Sequence, residues 1–220
     1  MIFSSLASFI NQGLQEEVNQ QSLSDYEIFG KQVEGLVCNL VSNYFEESEF
    51  SATFSRAKNK NEFPDLKVTV NSVNYALEIK AGESSTGPGN DMGTLRAYPK
   101  KLEDYNDNIY CIFIKYSKPT GTGLIVVNDV YFEKIYKFIG RMSGNPLLLK
   151  YRKKDGNLRP KCWNDFESST NYFSTKSEFE TAIVHTNSYR SESIIIEHLE
   201  RLSDSALNKV KRIIEEKVTE

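Results

Sequence analysis

Apolar residues in the first part of the chain recur every three or four positions, which is the spacing of a helix with one buried face. The first such set contains Ile2, Phe3, Leu6, Phe9, Ile10 and Leu14. A second set spans residues 24–46, where Ser24 and Glu27 form the pattern of a capping box for the free N–H groups of the first turn. The pattern therefore predicts two amphipathic helices, the second at 24–46.

The hydrophobic pattern then changes to alternation, which is typical of strands covered on one face. Alternating segments lie at 49–56, 65–70 and 74–80. Only a short polar turn separates the second segment from the third, so we expect these two to pair as an antiparallel hairpin.

The rest of the chain predicts a mixture of strands and helices. Residues 82–93 are rich in Gly, Ser, Pro, Asn and Asp, which predicts a loop. The other expected elements are a helix at 94–104, a strand buried on both faces at 109–116, a strand at 121–127, a helix at 129–139, a strand at 147–152 and helices from 176 onward. No repeat or linker interrupts the pattern, so one domain over 1–220 is expected.

Composition narrows the class of protein. A net charge of −3 argues against a protein that coats nucleic acid by bulk electrostatics, although basic residues gather between 150 and 161. The three cysteines lack metal-type spacing and are interpreted as reduced thiols. No apolar run approaches the roughly 20 residues of a membrane span, and the N-terminus lacks the pattern of a signal peptide. We therefore expect a cytoplasmic protein without a membrane partner.

Residues capable of chemistry gather at one end of the predicted hairpin. Asp65 opens its first strand, and Glu78 and Lys80 lie near the end of its second. Residues two apart in a strand point to the same face, so Glu78 and Lys80 emerge side by side, and Asp65 lies across from them. The hairpin therefore predicts two carboxylates and a lysine at one point.

Two carboxylates at one point repel each other unless a cation lies between them, and hard oxygen ligands suit Mg²⁺. Such an ion binds a phosphate oxygen and acidifies a water, while Lys80 positions that water and neutralises developing charge. These are the requirements of phosphodiester hydrolysis. A simpler interpretation stays open, because Glu-x-Lys also occurs on exposed strands as a weak ion pair.

The motif Pro64-Asp65 followed by Glu78-Ile79-Lys80 resembles that of the PD-(D/E)XK nuclease superfamily, and most of all that of type II restriction endonucleases. That family has an α/β fold with a mixed central sheet flanked by helices, and its core runs αβββαβ. The predicted elements follow the same order over about 24–116. The resemblance leaves about 1–23 and 117–220 for DNA recognition and dimerisation.

The resemblance also implies roles for individual residues. Asp65, Glu78 and Ile79 are expected to hold Mg²⁺, and Lys80 to be the catalytic lysine. Such enzymes often add an acid from the first core helix, and Glu34 is the matching candidate. Alternatively, Glu34 simply faces solvent.

Two segments are candidates for DNA contact. The loop at 82–93 leaves directly after Lys80, and it offers Ser85 and Asn90 as hydrogen-bonding side chains, with Arg96 following it. Its composition predicts that it is mobile until DNA binds. The second segment is basic, with Tyr151 and Trp163 interleaved, and its cations are Lys150, Arg152, Lys153, Lys154, Arg159 and Lys161.

Taken together, the motif and the resemblance predict a Mg²⁺-dependent, site-specific endonuclease that cuts double-stranded DNA and leaves 5′-phosphate ends. Cutting both strands of a two-fold site favours a homodimer. A companion DNA methyltransferase in the same cell is implied by the resemblance. Two alternatives stay open: a structure-selective nuclease such as a junction resolvase, and a DNA-binding module without catalysis.

Overall fold

The computed structural model describes residues 2–59, 62–118, 121 and 123–218. Its centre is a five-stranded sheet in the order β1-β2-β3-β4-β5. The strands are β1 (Ala52–Arg56), β2 (Leu66–Val70), β3 (Val73–Glu83), β4 (Ile109–Ser117) and β5 (Val126–Lys134). All neighbouring strands are antiparallel except β3 and β4, which are parallel. The sheet is therefore mixed.

Helices cover both faces of this sheet. The covering helices are α1 (Leu6–Gln20), α2 (Tyr26–Glu46), α3 (Tyr98–Tyr105), α4 (Trp163–Glu167) and α5 (Lys176–Glu200), and a further helix, α6 (Asp204–Val218), follows them in the chain. One hydrophobic core joins α1 and α2 to the first face, and a second core joins α3, α4 and α5 to the other. The expected α/β fold, a mixed sheet flanked by helices, is confirmed.

The order α2, β1, β2, β3, α3, β4 is the αβββαβ order expected from the sequence. The helix predicted at 94–104 consists of a 3-10 turn at Leu95–Ala97 followed by α3. Pro99 lies in the first turn of α3, where its missing N–H costs no hydrogen bond.

The start of α2 differs from the expected capping box. The cap is Asp25, whose side chain accepts hydrogen bonds from the N–H groups of Glu27 (2.7 Å) and Ile28 (3.2 Å). Asp is as good a cap as Ser, so the helix begins one residue later than the Ser24 pattern predicts.

The helix predicted at 129–139 is wrong. Residues up to Lys134 belong to β5, which pairs antiparallel with β4, and a 3-10 turn at Ile135–Lys137 follows. The segment is rich in β-branched and aromatic residues, which favour a strand when a partner strand is available. Of the strand predicted at 121–127, only Val126 and Val127 lie in β5, and residue 122 lies outside the described residues.

Two short strands, β6 (Arg141–Met142) and β7 (Leu148–Leu149), form a separate small sheet. The strand predicted at 147–152 is reduced to β7 and a single bridge from Tyr151 to Leu158. None of the helices in the described part of the chain combines the length and the apolar character needed to span a bilayer.

Candidate active site

The β2–β3 hairpin brings Asp65 and Glu78 together, as its register requires. Leu66 lies opposite Leu77, so the residue before β2 adjoins the residue after Leu77. The backbone N–H of Ile79 donates to Asp65 Oδ2 at 2.7 Å, which fixes the carboxylate against β3. The side chain of Ile79 points into the opposite core, so the functional side chains share the face covered by α3.

Lys80 lies between the two carboxylates. Its Nζ is 2.7 Å from Glu78 Oε1 and 3.5 Å from Asp65 Oδ2, and it also donates to the Ile79 carbonyl at 3.1 Å. The three side chains are mostly buried, with 17% or less of each exposed. Burial weakens solvent screening, so these charges interact strongly.

The electrostatics of the group show an excess of negative charge. Burial raises the pKa of Asp65 to about 6, and the neighbouring Glu78 carboxylate adds to the rise. Burial disfavours the charged form of Lys80, but the carboxylates of Glu78 and Asp65 outweigh this effect and hold its pKa above the usual range. Lys80 is therefore a permanent cation that two carboxylates share.

The donors present fit a divalent cation. Glu78 Oε2 is buried and accepts no hydrogen bond from any described residue, so one carboxylate oxygen is free to bind an ion. Asp65 supplies a second carboxylate, and Ile79 can contribute only its carbonyl. Within the described ranges no three His, Cys, Asp or Glu side chains cluster around one point. A hard cation would therefore keep part of its water shell, as Mg²⁺ does.

Glu34 lies near this group but outside it. Its side chain is exposed on α2, while its charge is close enough to contribute to the raised pKa of Asp65. Glu34 is thus at the same end of the sheet as the hairpin residues without sharing their hydrogen bonds.

The loop that follows β3 is shorter and better anchored than the sequence predicts. Gly82 belongs to β3, where Trp163 packs so closely that an added Cβ would lie 2.8 Å from the indole ring. The N–H of Met92 donates to the Leu158 carbonyl at 2.9 Å, and the Asn90 amide donates to the Ala81 carbonyl. The expectation that the loop is mobile before DNA binds conflicts with these contacts.

The basic segment supplies the other anchors of this loop. Arg152 contacts Asp91 at 2.9 Å, and Arg159 forms an ion pair with Asp91 and donates to the Gly89 carbonyl at 2.6 Å. The loop and the basic segment therefore form one surface, with a cleft of about 240 Å³ between 86–89, Lys150 and 159–162.

Two residues of the basic segment are structural. Lys161 is only 5% exposed, and its Nζ donates to the carbonyls of Asp165 (2.9 Å) and Thr170 (3.1 Å). Trp163 is buried, and its indole N–H donates to the Glu83 carbonyl at 3.0 Å. The expected DNA contact by Lys161 is corrected accordingly, because its ammonium is already satisfied inside the fold.

The remaining candidates for DNA contact are on the surface. The exposed side chains are Ser85, Arg96, Lys150, Arg152, Lys153 and Lys154. Ser85 donates to Glu83 Oε1 at 2.6 Å. Arg152 pairs with Asp155 and Asp91, whereas Lys153 and Lys154 are exposed and form no ion pair with another described residue.

Lys101 is a residue near the site that the motif did not indicate. It lies on α3 three positions after Tyr98, which is fully buried, so both residues face the sheet. The charges of Glu78, Lys80 and Asp65 all act on its ammonium. The sequence contained a signal for this position of Lys101, because a residue three positions after a buried helical residue lies on the same face of the helix.

The five-stranded mixed sheet, the helices on both of its faces and the αβββαβ order together define a fold of the restriction-endonuclease type. The sequence model of the NgoBV restriction endonuclease family matches residues 8–218, so the chain belongs to that family. The resemblance drawn from the motif is thereby confirmed.

One similar solved structure is the NlaIV restriction endonuclease, with a TM-score of 0.54 and 18% sequence identity. The match covers 74% of this chain and 66% of that one, so the chain spans just under two thirds of its length. At this identity the likeness bears on the fold alone. No curated protein matches the chain in sequence.

Proposed function

We propose that the chain is a Mg²⁺-dependent endonuclease that cuts double-stranded DNA at a specific site and leaves 5′-phosphate ends. The observation that carries the proposal is the convergence of Asp65, Glu78 and Lys80 at one end of a hairpin, in a chain of a restriction endonuclease family. A weak surface ion pair does not account for it, because both carboxylates are mostly buried and one oxygen lacks a partner among the described residues.

The residues of the group have two kinds of role in hydrolysis. Asp65 and Glu78 would hold Mg²⁺, which when bound polarises the phosphate and acidifies an attacking water. Lys80 stays protonated, so it orients the attacking water by donating a hydrogen bond and stabilises the negative charge that develops on the phosphate. The Ile79 N–H keeps Asp65 aligned with Glu78.

Digestion of a plasmid of known sequence tests this function. The protein with Mg²⁺ should give discrete linear fragments whose mapped ends share one sequence, with phosphate on the 5′ side. Ca²⁺ should support DNA binding without cutting, because it fits oxygen ligands but activates water poorly. Preference for a four-way junction over the linear duplex would instead indicate a resolvase, and binding without cutting in Mg²⁺ would indicate a non-catalytic module.

The exposed lysines at 153 and 154 are proposed to contact DNA phosphates beside the site. Replacing both by Ala should lower the slope of log affinity against log salt by about 2, because each phosphate contact contributes roughly 0.9. Fluorescence anisotropy over a salt series in Ca²⁺ measures the slope. Lys100→Ala is the matched control, because Lys100 is exposed on α3 and engaged with Asp104 at 2.7 Å. If the double variant had the same slope as the unmodified protein, Lys153 and Lys154 would not contact the duplex.

We also propose that the protein acts as a homodimer, since the described part of one chain carries one such site and a duplex has two strands. The exposed apolar residues of α6 support this, with Ile213 48% and Ile214 55% exposed. Burial of such a face against a second copy is favourable. The proposed setting is the cytoplasm, with a companion DNA methyltransferase that protects the host's own sites.

The double change Ile213→Asp and Ile214→Asp should convert dimer to monomer, measured by sedimentation velocity, and should shift the products on supercoiled plasmid from linear DNA to nicked circles. The fold should persist, because both side chains face solvent in the single chain. Val184→Asp, at an exposed apolar position of α5, should leave the assembly unchanged. A variant at 213 and 214 that stays dimeric would show that the interface lies elsewhere.

A further inference from the structure

Lys101 holds an ammonium group in an unusual position beside the carboxylates. Its Nζ lies 3.6 Å from the centre of the Phe63 ring and 5.0 Å from that of Tyr98. Phe63 is two residues before Asp65, so the aromatic support of the lysine belongs to the same segment as the first site carboxylate. A cation over ring faces is held in place without being neutralised.

Among the residues that the structure describes, no carboxylate forms a salt bridge with Lys101 and no hydrogen bond from its Nζ is present. Its neighbour Lys100 differs, since it is exposed and pairs with Glu103 at 3.2 Å and Asp104 at 2.7 Å. Burial lowers the pKa of Lys101, which reflects the cost of keeping a charge there without a direct counterion. The position therefore suits an anion supplied from outside the chain.

The backbone leaves room for this ammonium at Gly93. Gly93 has φ +92°, a conformation that L side chains rarely adopt, and an added Cβ would lie 3.1 Å from Lys101 Nζ. The end of the loop at 84–93 therefore passes close to Lys101. Lys101 thus lies between this loop, Phe63 and the carboxylate pair.

We infer that Lys101 is a DNA-binding residue of the active site, which contacts a phosphate oxygen of the strand held at Asp65, Glu78 and Lys80. This inference rests on the proposed function and names a residue that the motif does not contain. An ammonium at this place offsets the repulsion between the DNA phosphates and the two carboxylates, which one shared Lys80 only partly neutralises. An incoming phosphate also supplies the hydrogen-bond acceptor that Lys101 lacks.

The test is Lys101→Met, which keeps the apolar stem over Phe63 and removes the charge. Binding of a short linear DNA duplex in Ca²⁺ should show a salt slope lower by about 0.9, as one lost phosphate contact requires. Lys101→Arg should retain most of the slope, and Lys100→Met should match the unmodified protein. A slope unchanged by Lys101→Met, with only a lowered melting temperature, would overturn the inference and leave Lys101 a packing residue.

Cleavage in Mg²⁺ distinguishes this inference from the proposed function. If the protein cuts DNA, Lys101→Met should slow single-turnover cleavage by about 10- to 100-fold, in line with the loss of a charge-assisted hydrogen bond. Unchanged cleavage together with an unchanged slope would reject the role of Lys101 while the nuclease proposal stands. A lowered slope in a protein that cuts no DNA would reject the nuclease proposal and keep Lys101 as a phosphate contact.

Discussion

Asp65→Asn and Lys80→Ala should each reduce DNA cleavage by about three orders of magnitude in a protein that still folds. The Asn side chain keeps the hydrogen bond from the Ile79 N–H, so the change removes a charge from the proposed metal site without altering its shape. Lys80→Ala removes the cation proposed to face the phosphate. It also leaves two buried carboxylates without their shared partner, so this variant is expected to be less stable.

Single-turnover cleavage of linear DNA in Mg²⁺ measures both losses, and thermal unfolding checks the fold of each variant. Lys100→Ala is the matched control, since Lys100 is exposed on α3 and pairs with Asp104 at 2.7 Å, outside the proposed site. Its rate should stay within a few-fold of the unmodified protein. Full activity in the folded Asp65→Asn protein would remove Asp65 from the reaction.

The same Asp65→Asn change should stabilise the protein when no divalent cation is present. Asp65 is mostly buried beside Glu78, and its pKa of about 6 lies above the ordinary 3.8, so the folded protein disfavours its charged form. A shift of this size corresponds to roughly 2–3 kcal/mol of lost stability at neutral pH. Removing the charge should raise the melting temperature by several degrees, at about 2–4 °C per kcal/mol for a chain of this length.

The sign of the pH dependence follows from the raised pKa. The unmodified protein has the stability of a neutral Asp65 below pH 3.8 and loses it as the pH rises through about 6. The difference in melting temperature between Asp65→Asn and the unmodified protein should therefore narrow from pH 7 toward pH 4. Ca²⁺ at neutral pH should raise the melting temperature of the unmodified protein and leave that of Asp65→Asn nearly unchanged.

Differential scanning fluorimetry at pH 4.5, 6 and 7.5, with EDTA or Ca²⁺, provides these comparisons. Asp104→Asn is the control, because Asp104 is partly exposed on α3 and its charge should matter by at most about 0.5 kcal/mol. If Ca²⁺ stabilised both proteins equally, the carboxylate pair would not be the cation site. If Asp65→Asn melted no higher than the unmodified protein in EDTA, the predicted stabilisation would be wrong. The charge of Lys80 would then already offset the repulsion between the carboxylates of Asp65 and Glu78.

The β2–β3 hairpin could be predicted from the sequence because its determinants are local. Alternation sets which side chains share a face, and a short turn sets the register, so Asp65, Glu78 and Lys80 had to meet once the hairpin formed. Helix α2 was also predictable, since its apolar face repeats over many turns, and only the identity of its cap differed. Local patterns therefore determined the αβββαβ order and the proposed catalytic group.

The segment after β4 could not be predicted in the same way, because its structure depends on partners distant in sequence. Residues 129–134 form a strand only because β4 offers an open edge for pairing. The loop at 84–93 is anchored through Asp91 by Arg152 and Arg159, which lie 61 and 68 positions away. A composition rich in Gly and Asn predicts mobility, but it does not show that arginines distant in sequence will hold the loop in place.

The sequence by itself determined the fold class, the core order and the convergence of two carboxylates and a lysine. Only the tertiary structure decided which basic residues are available to DNA. It buried the ammonium of Lys161 against two backbone carbonyls, paired Arg159 with Asp91 and brought Lys101 near the carboxylates. The physical reason is that a residue's charge is visible in sequence, whereas its burial and counterions are set by long-range packing.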